Sequence, residues 1–203
     1  MADKFRLLVE GKDDEHVLYQ LRDYHSLPQT FRVVDKKGID NLLETLDVEL
    51  LAGGLERLGI IVDADTRLQP RWESLRNILV QGGYTEFPLS PNEAGTIIEQ
   101  KGKRIGVWIM PDNAAEGMLE DFVGSLVPPG DVLWVFAQEC VDEVIAQDCR
   151  FPLVHRSKAL IHTWLAWQEK PGDPLGLSIR SSRLNPGAPV AEPLTTWLRR
   201  LFD

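Results

Sequence analysis

Three apolar runs in this chain end in acid: FRLLVE closes on Glu10, LGIIVDAD on Asp63 and Asp65, and VWIMPD on Asp112. An apolar run that stops at a carboxylate and turns is how a buried parallel strand emerges from a sheet, and the C-terminal strand edge is where α/β proteins place their chemistry. Asp63 and Asp65 are two positions apart, which on extended backbone sets both side chains on one side. Two carboxylates about 4 Å apart repel by roughly 4 kcal/mol at an effective dielectric near 20, so such a cluster must be spread, protonated or neutralised. A divalent cation neutralises it best. Oxygen donors without a companion cysteine or histidine suit Mg²⁺ or Mn²⁺ rather than zinc, and Mg²⁺ accepts a few carboxylates completed by water and phosphate.

Local structure accounts for some of the acids. Asp13, Asp14 and Glu15 fall in the first turn of a predicted helix, where negative charge complements the helix dipole, and that role suffices for Asp13 and Glu15. Asp65 can cap the turn toward Thr66, and Asp112 can serve the Pro111-Asp112-Asn113 turn. These roles leave unexplained why three strand exits carry acids. Other phosphate-handling patterns are absent: there is no GxGxxG after a strand and no GxxxxGK[ST]. The stretch VDADT misses the DxDx[TV] signature of haloacid-dehalogenase-type phosphatases, because Thr66 comes three residues after Asp63 rather than four.

The elements that must position these residues alternate. FRLLV, FRVV and LGIIVD read as strands, and DDEHVLYQLRDY, GIDNLLETLDVELLAG and QPRWESLRNILVQGG read as helices, an order that argues for an α/β fold with a mostly parallel sheet of about four strands flanked by helices. Pro70 in the opening turn and Gly82-Gly83 at the end bound the third helix. TIIEQ, the turn KGK and RIGVWIMP read as a β-hairpin with a buried second arm. Helices are predicted near 116–126, over VLWVFAQECVDEVIAQ, at about 157–169 and through TTWLRRLF, with PGDPLGLSIRSSRLNPGAP as a Pro/Gly-rich connector. Leu160, Trp164 and Trp167 follow an i, i+4, i+7 pattern and are expected in the core; Lys158 and His162 share another face of that helix. The division expected is an α/β domain over 1–126 and a helical C-terminal extension over 127–203, packed together as one compact unit.

The chain has 203 residues and a formal net charge of −9, with an isoelectric point near 5.0, which opposes non-specific attraction to phosphate backbones. Basic groups are local: Arg67, Arg71 and Arg76 follow the DAD motif, and Lys101, Lys103 and Arg104 form a turn, so a phosphate-bearing ligand can be held at one place. The longest apolar runs fall far short of the roughly 18 residues of a membrane span, and MADKFRLLVE lacks a basic segment followed by an apolar one, so a cytoplasmic protein is expected. Cys140 and Cys149, nine apart, predict neither a disulfide nor a zinc site.

Glu10 in LLVEG, followed by Asp63-Ala64-Asp65 after a strand with two helical patterns between, resembles the Toprim domain of topoisomerases, primases and OLD-family nucleases over roughly residues 4–126. That resemblance implies a compact, mostly parallel sheet. The OLD-type nucleases are the most similar branch, since a second acid follows the first glutamate by four residues, here Asp14. Their later acid at a helix start is matched by Glu120 in GMLEDF, and their assisting lysine by Lys158 in RSKALIHTW. The whole chain, with GIIVDADT, WIMPDN and KALIHTWLAWQEKPG, resembles a bacterial Toprim-like family classed as a domain of unknown function.

The resemblance implies Mg²⁺-dependent (or Mn²⁺-dependent) phosphodiester chemistry on DNA or RNA. Glu10, Asp63 and Asp65 are then the metal ligands at one site, Asp14 and Glu120 complete a second, and Lys158 assists catalysis. Paired ions about 4 Å apart would activate water and stabilise the leaving oxygen, while Arg67 and Arg71 position the backbone of the substrate. The sequence shows neither the ATPase domain that accompanies OLD-type modules nor the tyrosine-bearing domain of topoisomerases, so cleavage is expected from this chain alone or with a protein partner. Two other readings stay open: a non-catalytic module that binds nucleic acid or protein, in phage defence for example, and nucleotidyl or phosphoryl transfer to a small molecule.

Overall fold

The computed structural model describes residues 4–203. Met1 to Asp3, the start of the predicted 1–126 unit and of MADKFRLLVE, lie outside the described residues. The first half alternates as its periodicity predicts: β1 (Phe5–Val9), α1 (Lys12–Tyr24), β2 (Arg32–Asp35), α2 (Ile39–Leu51), β3 (Arg57–Asp63) and α3 (Leu68–Gln81). The hairpin follows as β4 (Thr96–Gln100) and β5 (Lys103–Met110). The remaining helices are α4 (Leu119–Gly124), α5 (Val132–Ala146), α6 (Arg156–Ala166), α7 (Leu175–Arg180) and α8 (Glu192–Phe202). The sheet runs β2-β1-β3-β5-β4, with β2, β1, β3 and β5 parallel and β4 antiparallel to β5 at one edge. The fold is thus α/β with five strands, the four parallel ones joined by the hairpin's first arm.

Period-2 alternation divides the strands between two cores. Leu8, Ile60, Val62, Val107 and Ile109 pack beneath α2 and α3 with Leu42, Leu46, Trp72 and Leu75. Leu7, Val9, Ile61, Trp108 and Met110 face the other way, onto α1 and the helices from α4 onward. With both faces covered, the strand interiors read as continuous apolar runs.

The last helix is seated by two glycines. Gly59 and Gly106 are register partners on β3 and β5. A Cβ at Gly59 would lie 2.9 Å from Leu201 Cδ2, and one at Gly106 would lie 2.8 Å from the same atom. The absence of side chains there leaves a flat spot that Leu201 fills, with Trp197, Leu198 and Phe202 buried around it.

Three expectations need correction. The connector after residue 170 contains α7, which packs on α1 so closely that a Cβ at Gly176 would meet His16 O at 3.0 Å; the glycine that reads as a breaker permits backbone approach. The helix expected near 116–126 is only Leu119–Gly124, because its N-terminus is set where Asp121 Oδ2 accepts the Met118 N–H at 2.8 Å. Leu160 and Trp164 are core, but Trp167 lies past the end of α6 and stays 37 % exposed beside Phe136, their ring centroids 5.4 Å apart.

No helix among the described residues is long and apolar enough to cross a membrane. Cys140 and Cys149 are free.

Candidate functional site

The C-terminal ends of the parallel strands open into a cavity of about 540 Å³. Glu10 leaves β1, Asp63 ends β3, Asp14 sits in the first turn of α1 and Glu120 in the first turn of α4; all four line this cavity, together with Asp65, Lys12, Lys37, His155 and Lys158. Five of the acids that motif and resemblance single out are therefore brought to one edge from sequence positions more than 100 residues apart.

Backbone donors fix the acids individually. Glu10 Oε1 accepts the Asp63 N–H at 2.7 Å, and Asp63 Oδ1 accepts the Leu119 N–H at 2.9 Å, which binds β1, β3 and α4 into one unit. Asp14 Oδ2 accepts the Gly11 N–H at 3.1 Å and so closes the start of α1. Glu120, 6 % exposed, faces Lys158 Nζ on α6 at 3.2 Å.

Asp63 and Asp65 do not extend side by side as their spacing predicts. The strand stops at Asp63, and Asp65 takes a left-handed backbone with φ 52°, bridged to Gly117. Its carboxylate turns toward Arg71, whose Nη2 donates to Asp65 Oδ2 at 2.7 Å while Nε donates to the Asp63 carbonyl at 2.9 Å. Asp112, the third strand-exit acid, lies outside the cavity: its Oδ1 accepts the N–H groups of Ala114 and Ala115, so it shapes the turn after β5. His162 is exposed and does not line the cavity, whereas His155, one turn before Lys158, does.

The basic turn is spent on structure. Lys101 Nζ donates to Gly82 O at the end of α3, and Lys103 Nζ to Leu50 O near the end of α2, both satisfying helix carbonyls. Arg104 donates to Arg200 O, and Arg76 to Phe87 O.

The electrostatics record crowding. Burial, followed by the charge of Glu10, pushes the Asp14 carboxyl up to about 7. Burial raises Asp63 well above the carboxylate range, reinforced by Asp14, Glu10 and Glu120. Glu10 is raised by burial too, against the opposing pull of its bond from Asp63 and of Arg71. Burial works against the charge on Lys158, but Glu120 beside it prevails and holds its pKa above the usual lysine value.

The donor set is all carboxylate and under-neutralised, which suits a hard cation and not zinc. Among the described residues, however, no three His, Cys, Asp or Glu side chains are grouped closely enough to hold an ion as they stand. Two of the acids face cations instead, Asp65 facing Arg71 and Glu120 facing Lys158.

Two solved structures are similar to this chain. The C-terminal region of the OLD protein from Xanthomonas campestris pv. campestris, phased with iodine, is 16 % identical, with all of this chain and 97 % of that one covered at a TM-score of 0.50. The same region phased with mercury is 17 % identical, covering 100 % and 90 % of the two chains at a TM-score of 0.40. At such identity the likeness concerns the fold. No curated protein matches the sequence. A family model does, over residues 4–203, and the chain belongs to that family, DUF3226, described as a protein of unknown function.

Proposed function

We propose that this chain is a Toprim-type nuclease performing Mg²⁺- or Mn²⁺-dependent phosphodiester chemistry on nucleic acid. The observation that carries the reading is the meeting of Glu10, Asp14, Asp63 and Glu120 in one cavity at the strand exits, with the Asp14 and Asp63 carboxyl pKa values raised by burial and then by neighbouring acids of the group. The glutamate and DxD of the Toprim-like motif stand at the ends of adjacent parallel strands, as that reading requires.

In this proposal Glu10, Asp63 and Asp65 would hold one ion, and Asp14 with Glu120 a second. A divalent ion held there would supply Lewis acidity to water and to the leaving oxygen. The chain's own part is to hold the carboxylates in place through the Asp63, Leu119 and Gly11 amides, and to present Lys158 to charge on the phosphate. Arg71 and Lys158 pair with Asp65 and Glu120 and offset part of the crowded negative charge.

The test is Asp63→Asn. Asparagine retains the acceptor for the Leu119 N–H but loses the charge, so Mg²⁺-dependent cleavage of plasmid or single strands should fall by about a hundredfold or more with the fold intact. Unchanged cleavage would remove the assignment.

The pairing of Asp65 with Arg71 and of Glu120 with Lys158 favours one second reading, a Toprim-like module that binds nucleic acid or a protein partner without cutting. Calorimetric titration with Mn²⁺ separates the two, because a module without a working site gives no saturable heat.

A further inference from the structure

Asp65 is a wall between two cavities. On its far side lies a smaller one of about 230 Å³, whose polar lining is Asp65, Thr66, Arg67, Arg71 and Ser74 at the start of α3. Arg71 is fixed there by its bonds to Asp65 and to the Asp63 carbonyl, a pre-set guanidinium with its side chain only 17 % exposed. Arg67 makes no side-chain hydrogen bond or ion pair among the described residues and is exposed at the cavity mouth. Two guanidinium groups and two hydroxyls against a single carboxylate make this cavity cationic, and guanidinium forks match phosphate oxygens.

The charges along the sheet edge are therefore ordered. Lys158 and His155 stand on the α6 side, the acids in the middle with Lys12 at the start of α1 and Lys37 in the turn after β2 beside them, and the arginines on the α3 side. Phosphate is repelled by the acids themselves unless an ion intervenes, yet the arginine cavity can receive it directly. A ligand with one phosphate can occupy only one of these places. A chain of phosphates can occupy both.

We propose that the Arg67–Arg71 cavity is a subsite for the phosphate flanking the one that reacts, so that the substrate is a polynucleotide strand crossing the sheet edge from α6 to α3, and not a mononucleotide. This rests on the reading of the acid cavity given above. The chain's net charge of −9 keeps the footprint short, since phosphates beyond the subsite meet no comparable attraction.

The experiment compares fluorescence anisotropy of labelled hexathymidylate with calorimetric binding of thymidine 5′-monophosphate, with Ca²⁺ in place of Mg²⁺ to slow turnover. Arg67→Ala should weaken hexathymidylate about tenfold and flatten its salt dependence by about 0.7 in slope, with a clearly smaller loss on the monophosphate, which has the acid cavity as its other place; Arg67→Lys should recover most of the loss. Unaltered hexathymidylate affinity in Arg67→Ala, an equal loss on the monophosphate, or wild-type protein that binds the hexamer no better than the monophosphate would each overturn the subsite. Cleavage by Asp63→Asn is followed in parallel. Its loss together with an unaltered Arg67→Ala affinity brings down the subsite alone, whereas its survival brings down the acid-site reading on which the subsite depends.

Discussion

Glu10 and Asp63 are tied side chain to backbone across neighbouring strands: Glu10 Oε1 accepts the Asp63 N–H at 2.7 Å. The same economy recurs at Asp63 and Asp14, each of which gives one oxygen to a backbone amide, from Leu119 and Gly11 respectively. One oxygen of each acid is thereby fixed by the fold, and all three residues line the cavity. The acids are pre-positioned by main-chain geometry, and the cost of crowding them appears as raised carboxyl pKa values.

That cost is measurable as a pH dependence. The Asp14 carboxyl, ordinarily near 3.8, titrates at about 7 in the folded chain, chiefly through burial and then through Glu10. The folded state keeps a proton that the unfolded state has released, so metal-free stability is fullest below about pH 4 and declines as pH rises through about 7. Asp14→Asn keeps an acceptor for the Gly11 N–H and cannot ionise. In chelator-containing buffer it should exceed wild type by about 1–3 kcal/mol at pH 8 and match it near pH 4, by thermal or urea unfolding. Some slope will persist from Asp63. Identical pH profiles for the two proteins would contradict the crowding.

The seating of α8 is a second quantity to test, because it decides whether the C-terminal helices are separable from the sheet. Leu201 is fully buried on the paired glycines Gly59 and Gly106, which have no side chains to relax into a vacancy. Leu201→Ala should cost about 2–4 kcal/mol in urea unfolding, and removal of α8 should leave no cooperative transition. A cost below about 1 kcal/mol would make the helix a peripheral attachment.

Glu10 and Asp63 are legible in the sequence because a fully buried strand leaves an uninterrupted apolar run, and the first acid after it marks the exit. Asp112 obeys the same pattern and misleads, since the chain leaves β5 in a tight turn that absorbs its carboxylate. The direction of Asp65 is hidden for a different reason: aspartate enters the left-handed region only occasionally, and the apolar run before it gives no sign that the strand has already stopped at Asp63. Lys37 and His155 reach the cavity from exposed positions without periodicity, so no pattern marks them; the only signal is that Lys37, itself at φ 60°, precedes Gly38 at φ 113° in the turn after β2. Helix α7 is masked because Pro174 and Gly176 read as breakers, while Pro174 stands just before the helix and Gly176 serves contact with His16.

Lys158 bears on both ion binding and turnover, and its removal should move them in opposite directions. Its Nζ faces the buried Glu120 at 3.2 Å, although the lysine side chain itself is 51 % exposed. Solvent screening keeps the stability change of Lys158→Met below about 1 kcal/mol. Freed of its cation, Glu120 should take Mn²⁺ about three- to tenfold more tightly in calorimetry at pH 8, while cleavage falls by about tenfold or more. Weaker Mn²⁺ binding in the variant would show that the lysine does not compete for Glu120.

Arg71 makes the sharpest case, because it lines the smaller cavity and bonds to Asp65 and Asp63, which line the larger one. Its charge lowers the Glu10 pKa, its Nη2 occupies Asp65, and its Nε holds the Asp63 carbonyl at the end of β3. Arg71→Gln removes the cation from all three. The Glu10 carboxyl, observed by carbon NMR, should titrate at higher pH than in wild type, since burial would then act with less opposition. Loss of the bond to the Asp63 carbonyl should cost about 1 kcal/mol, and Asp65, no longer paired, should raise Mn²⁺ affinity while oligonucleotide binding weakens. A Glu10 titration that stays in place, or ion and oligonucleotide affinities that fall together, would mean that Arg71 only braces the strand end and does not divide its charge between the acids and a phosphate.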